Sequence, residues 1–140
     1  MRVEQWSFSL SAKPRGFHLV TDEIARKVGD FRGITTGICH IIIQHTSAGI
    51  TLNESADPDV RTDFAQIFDR LVPENEPYYV HTLEGSDDMP AHVKSSLVGA
   101  SVTVPMTGGR LNLGSWQGIY LCEHRNRGGS RRIVATAIGE

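Results

Sequence analysis

The chain has 140 residues, 39% of them hydrophobic, and a formal net charge of −2. A domain of this size buries roughly two-thirds of its unfolded surface, so one globular unit spanning residues 1–140 is the expected organisation. The sequence pI near 6.3 and the lack of a basic run longer than Arg131-Arg132 argue against a nucleic-acid partner, which usually goes with a pI above about 9.

The opening stretch MRVEQWSFSL alternates polar and apolar residues instead of forming the apolar core of a signal peptide. The longest apolar run, Ile41 to Ile43 with its flanks, is too short to cross a bilayer. Cys39 and Cys122 both fall in apolar, strand-like segments. A disulfide scaffold would carry more cysteines, so these read as buried, reduced thiols of a cytoplasmic protein with no membrane partner.

Residues 3–11 place Trp6, Phe8 and Leu10 at period two, the mark of a half-buried strand, and residues 16–20 read as its partner across a Lys13-Pro14-Arg15-Gly16 turn. Thr21 is the expected N-cap of a short helix through Val28, with Asp22 and Glu23 in its first turn and Gly29 as its stop. Residues 37–45 form the strongest strand pattern; they are apolar on both faces, which predicts cover on both. A second strand follows over 48–53. Asp57-Pro58 then signals a helix start, with Val60, Phe64, Ile67, Phe68 and Leu71 as its expected buried stripe and Pro73 as its end.

A second proline-initiated helix is expected from Asp88 to Val98, stopped by Gly99. Strands over 101–106, 110–114, 117–124 and 131–138 complete the chain, with Gly108-Gly109 and Gly128-Gly129 at turns. Helices in the middle and strands in series at both ends predict an α+β fold with antiparallel sheets and a few short helices, not a βαβ wound fold. No glycine-rich dinucleotide fingerprint or P-loop is present.

Strand alternation puts His40 and His45 on opposite faces, and a lone histidine in a strand is a weak signal, so His40 reads as a packing or surface residue. Asp88 and His92 share a helix face, where a carboxylate and an imidazole can hold a metal or act as an oriented base; a capping aspartate is the simpler reading. Two strands turn from apolar to charged at their ends, at His45 and at Glu123-His124-Arg125, which suggests a common polar pocket. Asp57 and Asp59 are explained as a helix start, whereas Asn53 and Glu54 precede the cap and are not. Arg110, Arg125, Arg131 and Arg132 beside glycine turns are candidate phosphate contacts.

Three segments in order, HTSAGITLNESADPDVRTD, HTLEGSDDMPAHVKSSLVG and PMTGGRLNLGSWQGIYLCEHR, with a terminal IGE, resemble the YjbQ-like family over residues from about 17 to 140. The resemblance implies an α+β sandwich assembling as a homotrimer, with sites near subunit boundaries. It also implies a thiamine-phosphate synthase activity, as a main or a secondary function, in which hydroxymethylpyrimidine diphosphate is joined to thiazole phosphate with release of pyrophosphate. The match carries over onto His45, Thr46, Ser47, Asn53, Glu54 and Asp57, onto Asp88 to His92, and onto Trp116, Gln117, Glu123, His124 and Arg125. One departure is Asp87-Asp88, where the family pattern often has Asp-Asn.

On that basis His45, Glu54, His92 and His124 are the expected catalytic residues. Thr46, Asn53, Arg125 and Trp116 are expected to bind a small phosphorylated substrate, with Arg125 gripping phosphate and Trp116 stacking on the pyrimidine. The cofactor is either Mg²⁺ carried with the diphosphate or Zn²⁺ held by His45, His92, His124 and Asp88. The zinc alternative makes the protein a metal-dependent hydrolase; a further alternative is a non-catalytic small-ligand binder.

Overall fold

The computed structural model describes all 140 residues, Met1–Glu140. Strand β1 (Arg2–Leu10) leads to β2 (Gly16–Leu19) and helix α1 (Thr21–Val28). A single 3₁₀ turn at Phe31–Gly33 precedes β3 (Gly37–Ile43) and β4 (Ala48–Glu54). Helices α2 (Pro58–Leu71) and α3 (Asp88–Val98) follow, and β5 (Ser101–Thr107), β6 (Arg110–Leu111), β7 (Gln117–Glu123) and β8 (Arg131–Gly139) close the chain. Five strands form one sheet in the order β1-β8-β3-β5-β6 and three form another in the order β2-β7-β4, every pairing antiparallel. The α+β sandwich is therefore the fold, and no helix is long and apolar enough to cross a membrane.

The alternation read from the sequence sorts the core. Cys39, Ile41 and Ile43 of β3, Val104 and Met106 of β5, and Ile133, Ala135 and Ala137 of β8 point inward from the large sheet. All of these but Val104 belong to one apolar cluster with Ile50 of β4, Ile119 and Leu121 of β7, and Ile24 and Val28 of α1. The opposite face of β7 carries Tyr120 and Cys122, which pack with Phe17 against Phe64 and Phe68 of α2. Burial pushes the Cys39 thiol up to about 11 and the Cys122 thiol up to about 12, so both stay protonated.

Four expectations need correction. The strand expected over 110–114 shrinks to the two residues Arg110–Leu111, which pair with Met106 and Thr107. Val20, not Thr21, occupies the cap position of α1, and no side chain caps it. The Thr21 hydroxyl instead accepts from the Ile119 amide at 2.8 Å, tying α1 to β7. Cover on both faces of β3 is not found: Ile38 is 45% exposed, and His40 and Ile42 are half-buried on the outer face of the large sheet. The α2 stripe is only partly used. Phe64 and Phe68 pack against the small sheet, whereas Ile67 and Leu71 remain exposed. The Asp57 cap holds, its side chain accepting from the Asp59 amide at 2.9 Å.

Candidate metal centre

The α3 segment opens on Asp88, whose side chain would ordinarily cap the helix. It does not: no side chain caps α3. Asp88 is 2% exposed, and its carboxylate is fully engaged from three directions. Arg125 NH1 donates to Oδ1 at 2.6 Å. On the other oxygen, Oδ2, lie His81 Nε2 at 2.7 Å and His92 Nε2 at 3.2 Å. The candidate ligand atoms of His81, Asp88 and His92 all lie within 4.8 Å of one another. The two imidazole centroids are 5.2 Å apart. Burial pushes the Asp88 carboxyl up, but the hydrogen bond from His81 and the Arg125 charge outweigh it and hold the group below the usual carboxylate range.

The local chain explains this assembly. The pair Asp88 and His92 is one helical turn apart on α3. Its orientation is fixed from the β3–β4 connection, where the Thr46 carbonyl lies 2.9 Å from His92 Nδ1. A carbonyl only accepts, so Nδ1 carries a proton and Nε2 is the ring nitrogen turned towards Asp88. Ser95 Oγ donates to the Ala48 carbonyl at 2.9 Å and pins α3 to β4. Arg125 extends from the end of β7. Its Nε donates to Asp87 at 2.9 Å and its NH2 to the Glu84 carbonyl at 2.8 Å, fastening the His81 loop. Beside His81 that loop opens a cavity of about 390 Å³, walled by Asn75, Tyr79, Thr82, Ser86 and Met89.

The expected meeting of His45, His92 and His124 does not occur within the chain; of the three, only His92 joins the cluster, and its partners are His81 and Asp88. His45 Nε2 accepts from the Arg132 amide at 2.7 Å. Burial and the Arg131 charge push its pKa down, with Glu123 opposing. His124 is 3% exposed, stacked on Phe68 with centroids 6.2 Å apart. Burial, aided by Lys94 and Arg131, lowers its pKa to about 3, so the ring is neutral. These two histidines extend from the ends of β3 and β7 without reaching Asp88.

Nor does one pocket gather the remaining residues. In the β4–β7 ladder Ala48 opposes Glu123 and Glu54 opposes Gln117. Six residues of strand, about 20 Å, therefore separate Asn53, Glu54 and Trp116 from the Thr46–His124 end. Asn53 and Glu54 have a local purpose. Asn53 Oδ1 accepts from the Glu54 amide at 2.8 Å, and the Glu54 carboxylate accepts from the Ala56 amide at 2.9 Å. The Tyr120 hydroxyl also donates to the Glu54 carbonyl. Trp116 is 68% exposed on the loop before β7. Thr46 acts through its carbonyl rather than its hydroxyl. Arg131 is drawn into a buried pair with Glu123, at 2.5 Å, and also donates to Ser47 Oγ at 3.1 Å.

His81 was missed because it lies in irregular chain ahead of α3, so no helical or strand register ties it to Asp88. The usable signal was that the motif HTLEGSDDMPAH begins and ends on histidine around two aspartates.

Fold and site define a small α+β sandwich with a histidine–carboxylate cluster between a loop and a helix start. The chain belongs to the family described as UPF0047 protein YjbQ-like, whose profile matches residues 6–140. It is 54% identical over 136 residues to UPF0047 protein YjbQ of Escherichia coli O157:H7, covering 97% of this chain and 98% of that one. To a UPF0047 protein of Synechocystis it is 41% identical over 139 residues, covering 99% and 94%. Among solved structures, a YbjQ-like protein from Sulfolobus solfataricus P2 superposes with a TM-score of 0.86 at 26% identity over 99% of both chains. A YjbQ/UPF0047-family protein of Clostridium acetobutylicum gives 0.81 at 33% identity, covering 95% and 99%.

Proposed function

We propose that this protein is a metal-dependent hydrolase whose ion is held by His81, Asp88 and His92. The observation that carries the reading is the convergence of His81, Asp88 and His92, whose candidate ligand atoms all lie within 4.8 Å of one another. Thr46 takes the Nδ1 proton of His92 and leaves Nε2 facing the Asp88 carboxylate at 3.2 Å, the nitrogen that would hold the ion. Two imidazole nitrogens and one carboxylate suit Zn²⁺, which keeps an open position in catalytic sites. Mg²⁺ prefers an all-oxygen set. When bound, the ion supplies Lewis acidity towards a phosphoryl or acyl group.

The chain's own residues orient that centre. The Thr46 carbonyl fixes the His92 ring, and Arg125 holds Asp88 Oδ1 so that Oδ2 faces the histidines. The cavity beside His81 provides room for a small substrate.

The thiamine-phosphate synthase reaction implied by the family resemblance needs a cationic grip on a leaving diphosphate. Arg125, the residue expected to supply it, already has all three guanidinium nitrogens engaged by Asp87, Asp88 and the Glu84 carbonyl. That favours hydrolysis over transfer, and a merely ligand-binding role gives no reason for two histidines and a buried carboxylate to converge. Homotrimer assembly accords with the uncovered Val3, Ile38 and Ile138 on the outer face of the large sheet. A reducing cytoplasm suits the two free cysteines.

The test is metal analysis of protein purified without an affinity tag, paired with hydrolysis of phosphate and acyl ester substrates. Stoichiometric zinc that is lost in His81→Ala and His92→Ala, together with zinc-dependent turnover, is the expected result. Protein that carries no metal and takes up none in calorimetry overturns the reading.

A further inference from the structure

The mechanism above makes no use of Lys94 or His124, yet both are buried and both face a second cavity. Where α2 ends over the small sheet, a space of about 440 Å³ is lined by Arg15, Phe68, Asp69, Lys94, His124 and Asn126 among others. That volume falls within the usual range for small-molecule sites, about 300–1,000 Å³.

Lys94 is 2% exposed, and the one hydrogen bond of its Nζ goes to Asp69 Oδ1 at 2.7 Å. An ammonium has three protons, and a buried one is ordinarily paired more completely. Arg15 NH2 donates to the same Oδ1 at 2.6 Å, so one carboxylate oxygen serves two cations. That carboxylate is a poor permanent partner, because the Asp69 side chain is 49% exposed on the surface of α2. The other Arg15 nitrogen, NH1, reaches Glu74 at 2.8 Å and Asn126 Oδ1 at 3.4 Å. On the facing wall, His124 Nε2 is sealed from solvent and has no hydrogen-bond partner. Buried polar groups are ordinarily given a partner, and no packing gain from Phe17 or Phe68 requires an imidazole in place of an apolar ring.

We propose that this cavity is a binding site for a small oxyanion, a carboxylate or phosphate group, which docks on Lys94 and Arg15 in the place that Asp69 Oδ1 now fills. Asp69 is the internal stand-in: its half-exposed side chain swings to water when the ligand enters, and Phe68 and His124 form the wall beside it. The inference is independent of the metal reading, since it uses none of His81, Asp88 or His92.

The experiment is an NMR titration of the full chain, dialysed free of metal, with inorganic phosphate and separately with acetate, following the His124 Hε1 resonance. Saturable shifts are expected in the wild type and in His81→Ala, and their loss is expected in Lys94→Gln. Asp69→Asn removes the competing carboxylate and is expected to tighten binding about fivefold, the equivalent of the ~1 kcal/mol that a half-exposed ion pair contributes. Phosphate saturation without acetate saturation identifies a phosphate site, and the reverse a carboxylate site. If neither anion moves His124 in the wild type or in Asp69→Asn, or if Lys94→Gln responds like the wild type, the proposal is overturned. Should Lys94→Gln fail to fold, the half-exposed Asp69→Asn decides alone: unchanged affinity refutes the displacement.

Discussion

Replacing His124 with leucine removes the one histidine that the fold holds strongly neutral. In the native protein the imidazole is packed between Phe17 and Phe68, with its pKa lowered to about 3 by burial and by the Lys94 and Arg131 charges. Unfolded, it returns to its ordinary value near 6.5. Between those limits the unfolded chain binds a proton that the native chain does not, so stability falls as pH falls and is fully present only above about 6.5. One proton contributes a slope of about 1.4 kcal/mol per pH unit. From pH 6.5 to 4.5 that amounts to about 2.7 kcal/mol, and the whole span to pH 3 carries on the order of 5 kcal/mol. The upper part of the window matters most, because paired carboxylates such as Asp69, Glu74 and Asp88, whose pKa values are lowered in the native state, begin to lose stability only below it. The assay is urea unfolding followed by tryptophan fluorescence at fixed protein concentration, wild type against His124→Leu, in half-unit steps from pH 7.5 to 4.5. The leucine variant is expected to gain on the wild type by about 2.7 kcal/mol over the lower two units. Stability curves that stay parallel would refute the argument, since His45 titrates in both proteins and cancels.

Other perturbations test the frame around the two cavities. Glu123→Ala leaves Arg131 buried and unpaired and is expected to cost about 3–5 kcal/mol in chemical denaturation. The double change Glu123→Leu with Arg131→Met is expected to recover most of that loss. Gly37→Ala places a Cβ 2.0 Å from the Ile138 carbonyl, so β3 must part from β8; a loss above about 3 kcal/mol, or insoluble protein, is expected. Gly29→Ala meets nothing within 4 Å, but its φ of 58° with ψ of −128° lies outside the left-handed helical well, so a penalty of about 1–3 kcal/mol in thermal melts, with folded and soluble protein, should separate strain from collision.

The strands, the two longer helices and the α+β class were legible because period two and period 3.6 are written directly into segments such as 3–10 and 58–71. Cover was not legible. The apolar run at Ile41–Ile43 looks the same whether or not its outer face has a partner within the chain, and Ile67 on α2 looks as buried in sequence as Phe68. For the site, the one-turn spacing of Asp88 and His92 and their membership of the second motif were sufficient. The third ligand candidate was not, because His81 is brought in by the Arg125 clasp on the 72–87 loop. That contact is 41 residues long-range and leaves no local period. Strand register also separated residues that motif order had grouped: Glu54 and His124 sit at opposite ends of the same ladder.

The resemblance leads us to expect asparagine at position 88, and that exchange would have a physical consequence. An asparagine there could keep its Oδ1 on Arg125 and turn Nδ2 towards the histidines, donating one proton to His81 Nε2 and one to His92 Nε2. Neutral imidazoles accept such bonds, so no cation would be needed between them. The carboxylate present in this chain has no proton to give, and with the His92 tautomer fixed by Thr46 it demands a proton on Nε2 or a metal. Asp88→Asn should therefore be at least as stable as the wild type in EDTA, yet gain little stability when zinc is added. The wild type should gain in proportion to zinc concentration over Kd, about 2.7 kcal/mol at a hundredfold excess. Paired melts with EDTA and with zinc read both arms at once. Equal zinc stabilisation of the two proteins would mean that Asp88 is not a ligand, and that Arg125 and His81 close around it for structural reasons alone.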